Sequence, residues 1–314
     1  MTHLAAAPSP SVRVRAPGKV NLSLRVGRVQ DDGYHPLATI FQAVALFEEV
    51  TATQVPEGAG VTITVDGPQA DRVPVDETNL AWRAAEALAR RVGVAPDVAL
   101  HLAKGVPVAG GMAGGSADAA ATLVACDALW QTGLSRGDLT SLAADLGSDV
   151  PFALLGHTAV GTGRGHLLTP AMSRGEFHWA FATQDEGLST PAVYNRFDEL
   201  SEGSDARDAD PAIEADTALM QALRAGDPHA LGRALHNDLQ PAALSLRPEL
   251  ERTIGVAREA GALGAFVSGS GPSVAALGRS RQHALAIAAS WTAESAADAV
   301  WCTSGPAHGA RLLP

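Results

Sequence analysis

Residues 105–120 read GVPVAGGMAGGSADAA. Five glycines fall between positions 105 and 115, directly before an alanine-rich run. Glycine loses more backbone freedom on folding than any other residue and gives a core no side chain. So many of them in one place point to something that must approach the main chain closely. The preceding VALHL, 98–102, alternates as a strand, and SADAAATLVACDALW, 116–130, reads as a buried helix with Ala120, Leu123, Val124 and Trp130 available for packing. In the order strand, glycine loop, helix, backbone N–H groups and the positive helix end together make an anion site. A tight turn with close helix packing is the plainer alternative.

Spacing separates the kinds of phosphate loop. Gly110 and Gly115 match the glycines of G-x-x-x-x-G-K-[ST], but Ser116-Ala117 stands where lysine and a hydroxyl residue are required. No G-x-G-x-x-G is present, and no strand and acidic residue follow at dinucleotide-fold spacing. Neither the Walker loop nor the Rossmann fingerprint describes this stretch.

Outward from the loop, VRVRAPGKVNLSLRVGRV, 12–29, alternates twice and reads as a strand pair or a strand broken at Pro17-Gly18. Lys19, Asn21 and Ser23 share one face of it, with the apolar residues turned to the core. An Asp32-Gly33 turn and more strand-like sequence follow, so the first eighty residues look mostly β. ETNLAWRAAEALARRVG predicts a helix capped by Thr78 or Asn79 and stopped at Gly93. LTSLAADLGSDVPFALLGHTAVGTGRG predicts a helix, a Gly-Ser-Asp loop and then strand. Turn residues multiply over 164–175, where a domain boundary is expected. Beyond it come a strand at FHWAFAT, a helix opened by Thr190-Pro191, a charged surface loop over 201–210, and helical periodicity to Ala260. GAFVSGSGPSVAALG closes the series as strand, small-residue loop and strand.

The bulk numbers bound the class. At 314 residues, 46% hydrophobic and 18% charged, the chain fits a folded protein of one large or two moderate domains, and two are favoured. A net charge of -11 without a basic stripe opposes nucleic-acid or anionic-membrane binding. Cys126 and Cys302 form no C-x-x-C pair, which fits a reducing, cytoplasmic setting. No run of eighteen apolar residues occurs, and 1–11 reads as a loose tail.

PVAGGMAGGSADAA resembles the phosphate-binding motif of the GHMP kinase family, RAPGKVNLSLRV at 15–26 resembles its first motif, and VSGSGPSVAAL at 267–277 its third. The three stand in family order, and the likeness runs from Val12 onward. The resemblance implies an α+β, two-domain fold: an N-terminal ribosomal-protein-S5-like, ATP-binding domain over 1–165 and a C-terminal α/β sandwich domain over 166–314. DDGYHPLATIFQAV and LGSDVPFALLG are similar to the family member that phosphorylates a cytidine diphosphate-linked methylerythritol with ATP, in the non-mevalonate isoprenoid pathway. The expected partners are therefore small molecules.

Roles follow from that resemblance, residue by residue. Asp149 is implied as catalytic base, with a turn cap as its plainer reading, and Lys19 as the active-site lysine beside it, with a solvated surface lysine as the alternative. Asn21 is read as a substrate contact or as a polar residue on an exposed strand face. Pro107, Gly110, Gly111, Gly114, Gly115 and Ser116 are assigned to the triphosphate, and Asn79 and Leu80 to adenine. A side chain at Gly114 is expected to block the phosphates and leave the fold intact. Tyr34 and His35 are implied to recognise the cytosine, Thr190 and Tyr194 to form the opposite wall, and Ser270 and Gly271 to shape the floor. Mg²⁺ is expected as counter-ion to ATP, with no protein ligand named for it, and Asp118, close to the phosphates, is left without a role. Rival readings are a homoserine, mevalonate or sugar kinase of the same family, a silent ligand sensor on the same fold, and an RNA-binding protein of related architecture.

Overall fold

The computed structural model describes residues 9–108, 110–201 and 216–314. Residues 1–8 of the expected tail and 202–210 of the expected charged loop lie outside the described residues. Ser11 already belongs to the first strand.

That strand, β1 (Ser11–Val26), runs unbroken through Pro17 and pairs antiparallel with β2 (Leu37–Gln54), with register shifts at Pro17/Gly18 and Asn21/Ser23. The proline is absorbed at an irregularity, where a missing N–H costs no ladder hydrogen bond. β3 (Val61–Asp66) lies parallel to β4 (Val98–Ala103), which pairs with β2. Between them, α1 (Leu80–Val92) starts on an Asn79 side-chain cap and stops at Gly93, which has φ +76°. α2 (Gly114–Trp130) follows the glycine loop and buries Ala117, Ala119, Ala120, Ala121 and Leu123 against β1 and β2. Small side chains let this helix lie close to the sheet.

α3 (Arg136–Leu146) leads to α4 (Val150–Leu155), so VPFALL is helical where strand was expected, and β5 (Thr158–Thr162) begins only after Gly156. Pro151 in the first turn is pre-set for a helix start, and Val150, Phe152, Ala153 and Leu154 are buried together, which overrides strand propensity. β5 pairs with β2, and β6 (Leu167–Pro170) pairs with β5, past the boundary expected at 165/166. The chain then crosses to a second, four-stranded antiparallel sheet.

The second sheet has the order β11-β7-β10-β9, formed by β7 (Phe177–Thr183), β9 (Gly264–Val267), β10 (Val274–Gly278) and β11 (Ala299–Gly305). Its helices are α5 (Thr190–Ser201), α6 (Thr217–Ala225), α7 (Pro228–Ala234), α8 (Gln240–Leu246), α9 (Glu249–Glu259) and α10 (Arg281–Ala293). Two short strands of this half, β8 (His236–Asn237) and β12 (Arg311–Leu312), return to flank β1 in the first sheet. Val20 and Leu22 of β1 pack with Phe177, Trp179 and Phe181 of β7. β1 is buried through its middle, and Lys19, Asn21 and Ser23 are withdrawn from water rather than displayed on an exposed face. The architecture is α+β in two parts around one shared strand. No helix among the described residues is long and apolar enough to cross a membrane.

Candidate active site

Three segments far apart in sequence meet over the middle of β1. The Lys19 amide donates to the Met112 carbonyl at 3.0 Å, tying the strand to the glycine loop. From the other side the turn 268–273, between β9 and β10, folds down with Gly269 at φ +60°. A Cβ there would lie 3.4 Å from Lys19 Nζ and 3.5 Å from Asn21 Oδ1. Gly111, at φ +65°, faces the same turn: a Cβ on it would reach 2.8 Å from the Ser268 carbonyl. At both positions the left-handed backbone and the tight approach demand glycine. Asn237 of β8 holds the turn in place, donating from Nδ2 to the carbonyls of Val267 and Gly269 at 2.6 and 2.8 Å. Sequence reading passed over Asn237 because no motif surrounds it.

Lys19 is only 6% exposed, which rules out the solvated-lysine alternative. Its Nζ donates to Asn21 Oδ1 at 2.7 Å, Asn21 Nδ2 donates to Thr39 Oγ1 at 2.9 Å, and Thr39 donates to the Ser23 carbonyl at 2.7 Å. Asn21 is therefore buried in a side-chain relay that orients the ammonium. Lys19 Nζ lies 3.8 Å from Asp149 Oδ2. Asp149 stands at the N-cap position of α4, but its side chain makes no cap hydrogen bond, so the carboxylate is not spent on the turn. It remains partly open, at 30% side-chain exposure.

A cavity of about 270 Å³ opens at this pair, lined by Asn21, Gly111, Ser148, Thr190, Tyr194 and Ser270 among others. The Thr190 and Ser270 hydroxyls are 2.9 Å apart across it. Burial, and secondarily the charge of Asp149, pushes the Tyr194 hydroxyl up to about 12, which places that phenol, neutral, within the field of the carboxylate. Gly271 does not reach this cavity. Its missing Cβ points at Val267 and Leu188, behind the turn.

The glycine loop is the wall between this cavity and a second one of about 220 Å³. Gly111 and Ala113 face the Lys19 side, while Gly114, Gly115, Pro107, Asn79 and Leu80 line the other. Gly110 is buried behind the loop, its missing Cβ directed at Ser273 and Pro107. Ser116, half-buried, sits in the first turn of α2. The Asn79 side chain is consumed by structure, accepting from the Ala81 amide at 2.8 Å and donating to the Pro74 carbonyl at 2.6 Å. Gly114 is not a free surface either: a Cβ there would sit 2.8 Å from Glu48 Oε1, so substitution disturbs packing as well as the cavity. At Gly115 the nearest such atom is Leu80 Cδ1 at 3.9 Å, and that position has room.

Glu48 belongs to a cluster that sequence reading did not see. Lys104 Nζ lies 2.8 Å from Glu48 Oε1 and is hydrogen-bonded to Asp118 Oδ2, with all three side chains at most 3% exposed. Glu48 Oε2 also accepts from the Gly105 amide at 3.0 Å, at the entrance to the glycine loop. Burial and the Asp118 charge push the Glu48 carboxyl up to about 8, and burial raises Asp118 as well. A signal was present: Glu48 shares strand parity with Val50 and Ala52, which are buried. Asp118 is thus paired with Lys104, and both line the cavity behind Gly114 and Gly115. These residues do not build an Mg²⁺ site of their own, because a lysine already occupies the space between the two carboxylates. No group of three His, Cys, Asp or Glu suited to a metal occurs among the described residues.

A third cavity, of about 420 Å³, adjoins the Lys19 cavity and is lined by Asp32, Tyr34, His35, Leu37, Arg164 and His166. Tyr34 is 53% exposed, with the Arg164 guanidinium 3.6 Å from its ring centroid. His35 is inserted instead: its Nδ1 donates to the Gly27 carbonyl at 2.8 Å, and its ring packs 5.0 Å from Tyr194. Both rings line the cavity, held there by different contacts. His35 fixes the loop against α5, and Tyr34 presents a ring to the cavity.

Residues 79–157 match the family model for the GHMP kinases N terminal domain, and residues 219–297 that for the GHMP kinases C terminal. The chain is 54% identical over 303 residues to a 4-diphosphocytidyl-2-C-methyl-D-erythritol kinase of Streptomyces coelicolor, covering 96% of this chain and 99% of that one. It is 52% identical over 310 residues to a kinase of the same name from Nocardia farcinica, covering 99% and 98%. A crystal structure of 4-(cytidine 5'-diphospho)-2C-methyl-D-erythritol kinase superposes with a TM-score of 0.74 at 31% identity, over 93% of this chain and 98% of that one. The L. major mevalonate kinase shares the fold at a TM-score of 0.78 and 17% identity, over 98% of this chain and 100% of that one. By motif order, fold and sequence alike, the chain belongs to the GHMP kinase family.

Proposed function

We propose that this chain transfers the γ-phosphoryl group of ATP to the 2-hydroxyl of 4-diphosphocytidyl-2-C-methyl-D-erythritol. The observation that carries the reading is the Lys19–Asp149 pair, in a cavity lined also by Tyr194 and set between the cavity behind Gly114 and Gly115 and the cavity that Tyr34 lines. Kinases of that name at about half identity over nearly the whole chain support the substrate.

Phosphoryl transfer asks the protein mainly for positioning and charge neutralisation. Asp149 accepts the proton of the attacking hydroxyl as the oxygen–phosphorus bond forms and the bond to the leaving ADP oxygen breaks. Lys19, held by Asn21, offsets the negative charge that develops on the substrate oxygen. The first-turn amides of α2 face the phosphates, aided by the positive helix end. Leu80, Val73 and Pro74 offer the adenine an apolar wall. Mg²⁺ bound to the ATP phosphates would offset their negative charge. The nucleotide lies in the N-terminal part, with the second substrate between the two parts.

Purified protein given ATP and a panel of alcohols is expected to release ADP rapidly with the cytidine diphosphate-linked methylerythritol alone. Efficient turnover of homoserine, mevalonate or a sugar in its place overturns the reading. Gly115→Val is expected to weaken binding of an ATP analogue at least tenfold, about 1.4 kcal/mol, while unfolding stability moves by no more than about 0.5 kcal/mol. Titration calorimetry and thermal melts read the two separately, and unchanged nucleotide affinity would remove the phosphates from this loop. Tyr34→Ala is expected to raise KM for the cytidine-bearing substrate about tenfold with kcat and the ATP KM little changed, since a contact made equally in ground and transition states shows in KM first. Equal rises for both substrates would make Tyr34 structural.

A further inference from the structure

We propose that Arg164 recognises the diphosphate of the nucleotide-linked alcohol and so selects a nucleoside diphosphate over a bare nucleoside. This rests on the substrate reading above and adds a residue to it. The Lys19 cavity and the Tyr34 cavity share two lining residues, Leu37 and Arg164. A substrate with its reacting hydroxyl at Asp149 and its base at Tyr34 must pass its diphosphate across that junction. Of the residues lining the two cavities, Lys19 and Arg164 alone carry a fixed positive charge, and Lys19 is engaged with Asn21 and Asp149 at the reacting end. In a chain of net charge -11, an unmatched diphosphate would be repelled. Arg164 is the cation in position to meet it.

Its placement is built. The turn joining β5 to β6 is closed by the Gly165 amide on the Thr162 carbonyl at 3.0 Å and tied to the start of β2 by the Leu37 amide on the Gly163 carbonyl at 2.7 Å. On this turn the guanidinium carbon lies 3.6 Å from the Tyr34 ring centroid, and Nη2 donates to Asp32 Oδ2 at 2.8 Å. The other guanidinium N–H groups have no protein partner among the described residues, and a planar fork suits phosphate oxygens. The stack on Tyr34 links the two ends of recognition: the ring that meets the base also orients the cation that meets the phosphates.

The test compares CDP with cytidine as ligands of the full chain by calorimetry, at one ionic strength, in wild type, Arg164→Gln and Arg164→Lys. Wild type is expected to bind CDP more tightly than cytidine. Arg164→Gln is expected to weaken CDP about tenfold or more, the scale of a lost charge-assisted hydrogen bond, while cytidine affinity changes less than about threefold. Arg164→Lys recovers part of the CDP affinity. Equal losses for both ligands, or no loss for CDP, overturn the Arg164 assignment while leaving the substrate reading standing. Failure of wild type to bind CDP at all overturns both.

Discussion

Asp149→Asn is expected to lower kcat by about 10²-fold or more with the affinity for ATP analogues little changed. Asparagine is nearly isosteric, and the Asp149 side chain makes no cap hydrogen bond, so the substitution removes the charge and the proton acceptor without unsettling α4. Lys19→Met is expected to do comparable damage, because it takes away the ammonium 3.8 Å from that carboxylate. The double variant should be little worse than either single one, as groups acting on one proton transfer are not additive. Single-turnover kinetics, in which chemistry limits the rate, is the measurement. A nearly wild-type rate in Asp149→Asn would show that the hydroxyl loses its proton elsewhere, and a double variant whose losses simply multiply would separate Lys19 from Asp149.

Lys104→Met is expected to cost about 3–5 kcal/mol of stability, the range for removing one partner of a buried ion pair. Methionine fills much the same volume, so the loss comes from charge: Asp118, at most 2% exposed on the side chain, is left buried beside Glu48 without its cation. Denaturant unfolding checks it, and adding Asp118→Asn to Lys104→Met should recover much of the loss. A loss below about 1 kcal/mol, in the range of exposed pairs, would mean that water or a protonated carboxyl compensates. The same cluster gives a pH dependence. Glu48 holds its proton up to about 8 in the folded chain against an ordinary value near 4.5. Between those values the folded state binds the extra proton, so this group makes stability fall as pH rises through the window, and Glu48→Gln should flatten that slope.

Reading along the chain was enough for local order. The strand at 98–102, the Asn79 cap, the Gly93 stop, the alanine-rich helix after the glycine loop and the paired strands around VSGSGPS all follow from periodicity and capping chemistry, which are properties of neighbouring residues. The glycine density at 105–115 showed by itself that something must approach the backbone. What sequence could not decide was which faces would be covered. Asn21 read equally well as a substrate contact or as part of an exposed polar face, and Lys19 had a surface reading too, until distant segments closed over β1, and VPFALL read as strand until its apolar residues found a common core. Asn237, Glu48 and Lys104 carry no local signature of their roles, because their partners lie 30, 56 and 14 residues away at Val267, Lys104 and Asp118. Arg164 looked like a turn residue among glycines, and only the meeting of two cavities makes it a cation between a base and a reacting hydroxyl. Hydrogen bonding and charge act through space over a few ångströms, so their consequences are set where the tertiary fold brings distant segments together, while helix caps and strand alternation are written within a turn or two of chain.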